Sequence, residues 1–498
     1  MYKNNQLILS FPKNEILLLV LAFIGIGLNS LMLIITSELR SKIMISLIFI
    51  TISYLYIFYL LLKSYKTINF IFLFLLLTIP FSYGQHFIAI FRPDYLYLNQ
   101  DFHILDGRIS DASIISATYF IMIFLILLTF GYMRANTYFK NTKMVNSNTR
   151  REGKSIIIVV AMLFLLLSIF SAFKEVIAQY NLSQQYSYLF RRQLELQENY
   201  NEILGVGLYD IYLSKWFIPS LYMFLLALDK KRHRIIPYII LGVYCSIYFL
   251  TGSRFNLLKI FCVVFLIEFI WHRAIKLKHL KVVAIFLVPA IIILGVMSNL
   301  RGISSFSIED IIYSAKKYMN SNPISATLWE TGITFTSVSN VIDKVPAQIP
   351  FFYGKSYIGS ILVCLPAPLR FGFTDNYVFT IGDTLSPLYY GVTNFGYGSS
   401  IYAEQFYNFG YFTFIIAILL GTVFGFLEKK LLEFRNNLLL SLFLVVVFTL
   451  GELLYSVRND LYAIPRTVLV SVGFPILVIW IIKVLLVYNQ KQNGYLRR

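Results

Sequence analysis

The sequence predicts an all-α polytopic membrane protein with about twelve transmembrane helices. Three observations predict it. The 498-residue chain is 58% hydrophobic and only 14% charged, where a soluble chain carries ~25% charge. Apolar runs of about twenty residues recur from end to end, each long enough to cross ~30 Å of hydrocarbon. One segment alone, 299–398, is long enough to stand outside the membrane as a substantial structure.

Taken in order, the first run at 15–36 is too long for a signal-peptide core and lacks a small-residue cleavage site, so it reads as a retained span. Further spans are expected at 43–62, 68–91, 113–133, 155–173 and 208–228. A closely joined pair follows at 235–250 and 255–271, with only Thr251, Gly252, Ser253 and Arg254 between them. The ninth span is expected at 282–298, and 399–427, 436–456 and 467–487 complete the set. Lys and Arg crowd into short segments such as 134–154, 230–234 and 273–281, whereas the alternate segments hold fewer over a greater length. The positive-inside rule then places both termini in the cytoplasm and 299–398, between spans nine and ten, on the outer side of the membrane. The chain reads as one integral membrane domain, 1–498, with that large loop inside it. Within the loop, 354–366 is apolar enough to re-enter the membrane or lie along its surface.

Several classes are excluded. Net charge is +18, which in a soluble protein would hint at nucleic acid; here the charges follow topology, and no nucleic-acid partner is expected. Cys245, Cys262 and Cys364 have no spacing that suggests a metal site or disulfides, and read as small core residues. There is no Gly-x-x-x-x-Gly-Lys-Ser/Thr, no outward Asp-x-Asp and no histidine cluster; His86 and His103 are the only outward or interfacial histidines. No metal or cofactor is expected. The first outward segment, 37–42, holds the single carboxylate Glu38, which argues against lipid-linked glycosyltransferases that keep a catalytic acid in a large first loop.

Outward arginines are the first candidate chemistry, because charge at the bilayer is expensive. Arg254 lies in the tight turn Thr251-Gly-Ser-Arg-Phe-Asn256, Arg301 in Asn299-Leu-Arg-Gly302, and Arg370 follows Leu365-Pro-Ala-Pro-Leu369. Arg458 and Arg466 share the last outward turn, and Arg191 and Arg192 are adjacent in the third. Guanidinium binds phosphate or pyrophosphate bidentately; the bland alternative is that each side chain snorkels to lipid headgroups. Among carboxylates, Glu404 falls near the start of a span, Glu452 late in the next, and Asp460 in the turn after it. A carboxylate in a partly dry site suits a general base, and the alternative for Glu452 is an ion pair with Arg458 or Arg466. Tyr389, Tyr390 and Tyr397, in a run of outward tyrosines, form an interfacial belt or a stacking surface for sugars.

Four stretches resemble the O-antigen (Wzy-type) polymerase family. Thr251-Gly-Ser-Arg-Phe-Asn-Leu-Leu258 resembles its Gly-Ser/Thr-Arg turn, and Ala403-Glu-Gln-Phe-Tyr-Asn-Phe-Gly-Tyr411 with Gly421 and Gly425 resembles its span after the large loop. Leu365-Pro-Ala-Pro resembles the turn late in that loop. Arg458-Asn-Asp…Arg466 resembles the last outward turn of the enterobacterial common antigen polymerase branch. The family's arginine-to-glycine pattern with ten intervening residues is matched imperfectly, since Arg370 and Gly382 have eleven between them. The resemblance covers the chain from about residue 240 onward.

The resemblance implies a metal-independent glycosyltransferase of the C type. A growing glycan on undecaprenyl pyrophosphate would be the donor and a single lipid-linked repeat unit the acceptor, with undecaprenyl pyrophosphate released. Arg254, Arg301, Arg370, Arg458 and Arg466 are then candidates for the pyrophosphate. Glu404 is the first candidate base and Asp460 the second; Tyr389, Tyr390 and Tyr397 are candidates for the sugars. A chain-length regulator would be a further partner. Two alternatives stay open. O-antigen ligase shares the fold but often uses a histidine in the large loop, and 299–398 has none. A flippase or transporter of lipid-linked sugars would show two similar halves, which are not seen here.

Overall fold

A computed structural model describes residues 13–65, 69–98, 103–105, 107–140, 153–194, 200–252, 254–272, 308–320, 322–365, 369 and 398–495. Among these residues the regular structure is helical. The first five helices are α1 (Lys13–Ile34), α2 (Leu39–Tyr65), α3 (Phe70–Phe91), α4 (Asp111–Lys140) and α5 (Lys154–Leu194). They are followed by α6 (Leu208–Ser214), α7 (Phe217–Ala227), α8 (Lys231–Leu250) and α9 (Arg254–Leu266). The segment expected outside contributes α10 (Ile308–Asn320), α11 (Pro323–Lys344) and α12 (Lys355–Leu362). The chain ends with α13 (Ile401–Phe409), α14 (Thr413–Asn436), α15 (Leu440–Tyr455), α16 (Ile464–Val468) and α17 (Phe474–Tyr495).

Eight described helices, counting α13 with α14 and α16 with α17, are long and apolar enough to cross a membrane; α15 is shorter. The predicted spans at 15–36, 43–62, 68–91, 113–133, 155–173, 235–250, 399–427 and 467–487 correspond to these eight. The span expected at 282–298 lies outside the described residues. Two others depart from a plain helix. The run at 208–228 is broken into α6 and α7 at Lys215–Trp216, and 255–271 is α9 continued by a π-helical turn, Ile267–His272.

α4 is the axis of the fold. Its apolar window is wholly buried, against 22% for α1 and 17% for α8, so α4 is surrounded by protein while those two face lipid. Its tightest neighbour is α14. A Cβ on Gly421 would stand 1.9 Å from the Leu128 carbonyl oxygen, and one on Gly131 would stand 2.0 Å from that of Ile418. Small residues let the two backbones touch, which in lipid replaces the hydrophobic drive that water supplies elsewhere.

The same device admits α11. A Cβ on Gly84 would meet the Leu328 oxygen at 2.3 Å, and one on Gly332 the Gln85 nitrogen at 2.5 Å, so α11 lies directly against α3. Asn322 caps it by accepting from Ser325 N at 3.4 Å, with Pro323 at the first helical position. Its later turns, from Thr334 to Val341, are buried on all sides. Part of the segment expected as an outward loop is therefore a packed helix of the bundle. The apolar stretch after it forms α12, which packs on α13 and α16.

The polar contacts sort to two ends. At one, Arg134 pairs with Glu15 at 3.3 Å, and Phe70 N donates to Glu428 Oε1 at 3.2 Å. At the other, Ser110 donates to Asp343 Oδ1 at 2.7 Å, and Ile401 N donates to the Ser456 oxygen at 2.9 Å. Replacing Gly421 or Gly131 by valine forces α4 and α14 apart, and a cost of about 2 kcal/mol or more is expected from overpacking. Thermal unfolding in detergent reads it as a lowered midpoint; an unchanged midpoint would refute the close-contact account.

Candidate functional site

The site is built where α13 begins. Ser400 caps that helix by accepting from Ala403 N at 3.2 Å, which sets Glu404 one turn inside it. Gly410 ends it with φ of +54°, a left-handed conformation that glycine adopts without strain. Glu404 is fully buried, and burial of a carboxylate demands donors. Ser356 of α12 donates to its Oε1 at 2.9 Å, and the Leu461 backbone N–H to its Oε2 at 2.6 Å. Asn408, one turn on, donates to Ser356 Oγ at 2.9 Å and to the Glu404 carbonyl at 2.8 Å. Next to this cluster, Gln405 donates to the Tyr357 hydroxyl. Burial, and then the nearby Glu404 charge, hold the Tyr357 phenol well above its usual range, so it stays protonated. Asp460 is buried beside the cluster, near enough for its charge to act on Glu404. The first two carboxylate candidates are thus brought together by the turn between α15 and α16.

That turn also carries two of the arginines. Arg458 stands with its Cζ 6.0 Å from the Phe81 ring of α3. Arg466, at the start of α16, directs Nη2 to the Tyr212 hydroxyl of α6 at 3.5 Å. The two therefore reach different helices, α3 and α6. Arg254 begins α9 just past the positive-φ Gly252, as the predicted tight turn requires, but its side chain lies outside the described residues. So do Arg301, Arg370, Tyr389, Tyr390, Tyr397 and the Arg192 side chain. Arg191 is fully buried near the far end of α5, where an exposed, headgroup-facing side chain was the simpler expectation.

Glu452 is in an ion pair, with a partner that chain proximity did not suggest. Lys259 of α9 stands 3.1 Å from it and 5.3 Å from the Tyr455 ring centroid. His86 is interior: its Nε2 lies 2.8 Å from Thr118 Oγ1 inside the α3–α4 contact. His103 accepts from Leu105 N at 3.1 Å, a local turn bond. Among the described residues no group of His, Cys, Asp or Glu is placed to hold a metal ion. Sequence reading did not single out Ser356, Asn408, Lys259 or Lys215. The one available signal was the helical spacing of Asn408 from Glu404.

Removing one member of the Lys259–Glu452 pair leaves a buried charge alone. Lys259→Met is expected to cost about 2 kcal/mol, below the ~3–5 kcal/mol of fully enclosed pairs, because Lys259 keeps 24% exposure. Adding Glu452→Leu is expected to restore most of that loss. A thermal-unfolding cycle of the two single variants and the double variant measures it; additive losses would show that the pair is not coupled.

No curated protein and no solved structure matches the chain. The family model for O-antigen polysaccharide polymerase Wzy matches residues 16–491, from the start of α1 to within α17. With nearly its whole length matched, this multi-span helical chain belongs to the O-antigen polysaccharide polymerase Wzy family.

Proposed function

We propose that the protein joins undecaprenyl-pyrophosphate-linked oligosaccharide repeat units into a surface polysaccharide at the outer face of the inner membrane. The observation that supports this best is the fixing of the Arg458–Arg466 turn onto the buried Glu404 by the Leu461 N–H. That contact sets two carboxylates and two guanidinium groups at one end of the bundle. Glycosyl transfer from a lipid pyrophosphate needs both kinds of group.

In the proposed step, an acceptor sugar hydroxyl attacks the anomeric carbon of the donor glycan. The new C–O bond forms as the anomeric C–O bond to pyrophosphate breaks. The hydroxyl proton passes to the Glu404–Asp460 pair, and undecaprenyl pyrophosphate leaves with its charge held by arginine. Arg458 and Arg466 are the described candidates for that charge, with Arg254, Arg301 and Arg370 joining them; Tyr389, Tyr390 and Tyr397 would face the sugars. Glu404, engaged by two donors, also positions the turn. Residues 299–398 would cover the site, and a chain-length regulator would act from the same side.

On this reading both termini are cytoplasmic and the Glu404 end faces the periplasm. Of the Lys- and Arg-rich segments, the described Arg134 falls at the opposite end, paired with Glu15. In intact spheroplasts a membrane-impermeant maleimide is expected to label Glu202→Cys and to spare Lys231→Cys, both exposed positions. The reverse pattern would invert the topology.

The decisive assay supplies purified protein in nanodiscs with its organism's lipid-linked repeat unit, without added metal or nucleotide. A product ladder is expected. Glu404→Gln or Asp460→Asn should lower the rate ~10²–10⁴-fold if the residue moves the proton. Arg458→Ala should weaken donor use, and Ser356→Ala should act more mildly. A folded wild type that makes no ladder sinks the polymerase reading, leaving transfer to lipid A core and flipping to be tested.

A further inference from the structure

The break between α6 and α7 places a cation where the sequence showed only an interrupted apolar run. Lys215 sits in the break, with Nζ 5.2 Å from the Tyr212 ring centroid. Arg466 directs Nη2 to the hydroxyl of the same tyrosine at 3.5 Å. The two positive groups converge on one aromatic side chain, and Arg466 is near enough to repel Lys215.

Among the described residues neither cation has an ion-pair partner. The nearby acids are otherwise engaged. Asp210 accepts from Lys174 at 2.6 Å and from Ser171 at 2.8 Å. Glu175 accepts from Gln179 at 3.2 Å and attracts Lys215 less than Arg466 repels it.

A like-charge pair costs energy unless an anion joins it, and the backbone here is held firmly enough to maintain the pair. Trp216, next to Lys215, donates Nε1–H to the Val470 oxygen at 2.9 Å and stacks on Phe474 with centroids 5.1 Å apart. Val470 lies in the π-helical turn Leu469–Gly473, whose irregular winding frees that carbonyl. The flank beside the pair is apolar and open: Tyr209 is 87% exposed, Leu208 63% and Leu469 52%.

We propose that Lys215 and Arg466 form a binding site for the phosphate group of a membrane lipid that enters from the bilayer, extending the arginine-bearing turn toward the lipid. The ammonium and the guanidinium supply converging charged donors for phosphate oxygens. The exposed apolar side chains of α6 and the π-helical turn take the lipid chain. Free phosphate shares the headgroup chemistry but not the chain contact. Only the identity of the lipid, a polyprenyl pyrophosphate, rests on the polymerase reading.

The test is titration calorimetry on the full-length protein in phosphatidylcholine nanodiscs, with farnesyl pyrophosphate, farnesol and inorganic pyrophosphate as probes. Farnesyl pyrophosphate is expected to bind saturably, more weakly as salt rises. Lys215→Gln and Arg466→Gln should each weaken it about tenfold or more, and Lys215→Arg only a few-fold. Farnesol and inorganic pyrophosphate should bind far more weakly. Unchanged affinity in glutamine variants that keep the wild-type thermal midpoint overturns the site, as does salt-independent binding by wild type. Inorganic pyrophosphate binding as tightly as the farnesyl compound overturns the lipid assignment. Lys215-dependent binding by a protein that makes no ladder would sink the polymerase reading and leave this site standing. A normal ladder with the farnesyl affinity unmoved by Lys215→Gln would do the opposite.

Discussion

Glu404 is the point on which its end of the bundle depends. A carboxylate with no exposed surface must have its oxygens met inside the protein, and here they are met by two different parts of the chain. Ser356 Oγ brings α12 to one oxygen, and the Leu461 N–H brings the turn after α15 to the other. Asn408 closes the arrangement by donating to Ser356. One side chain thereby fixes the relation of three segments that are distant in sequence. Arg458, Asp460 and Arg466 hold their places because the turn that bears them is held.

The irregular backbone of this chain is satisfied from within the protein, as hydrocarbon requires. The break at Lys215–Trp216 faces the π-helical turn of Leu469–Gly473, and the Trp216 indole takes the Val470 carbonyl. Where α13 starts, Ile401 N takes the Ser456 oxygen and Ser400 Oγ takes Ala403 N. These two departures from plain helix lie at the end that bears the candidate chemistry, whereas the π-helical turn Ile267–His272 lies where Glu268 pairs with Arg234. The opposite end is tied by ion pairs and by Glu428, which accepts from Phe70 N and Tyr132.

The long apolar helices were legible because their signal is local: twenty apolar residues in a row need no partner to be recognised. Glu404 and Asp460 were legible as carboxylates at the ends of spans, where charge is costly. Helix α11 was not, because its hydroxyls make it look polar. In the fold those hydroxyls turn back to their own helix: Thr327 donates to the Pro323 oxygen at 2.9 Å, Thr331 to Thr327 at 2.7 Å and Ser337 to Thr334 at 2.8 Å. With its hydroxyls satisfied this way, the helix packs like an apolar one. The Lys259–Glu452 pair was hidden by a separation of 193 residues, so that nearby arginines looked the better partners. Lys215 was not singled out because a hydropathy run does not record a change of helix direction.

The 41 residues of α5 make it the longest of the described helices, about 60 Å at 1.5 Å per residue. It is tied along that length: Lys154 to Asp229 at 2.6 Å near its start, Lys174 to Asp210 midway, and Ser183 to the Thr251 oxygen at 3.3 Å farther on. A rod of this kind acts as a lever. A tilt of about 5° about its first turn carries its last turn sideways by about 5 Å over its ~60 Å length. Small angular changes at one membrane surface therefore become displacements of atomic dimensions at the other. The bilayer's thickness, which sets helix tilt, thus has a mechanical route to the α6–α7 break and the turn of Thr251.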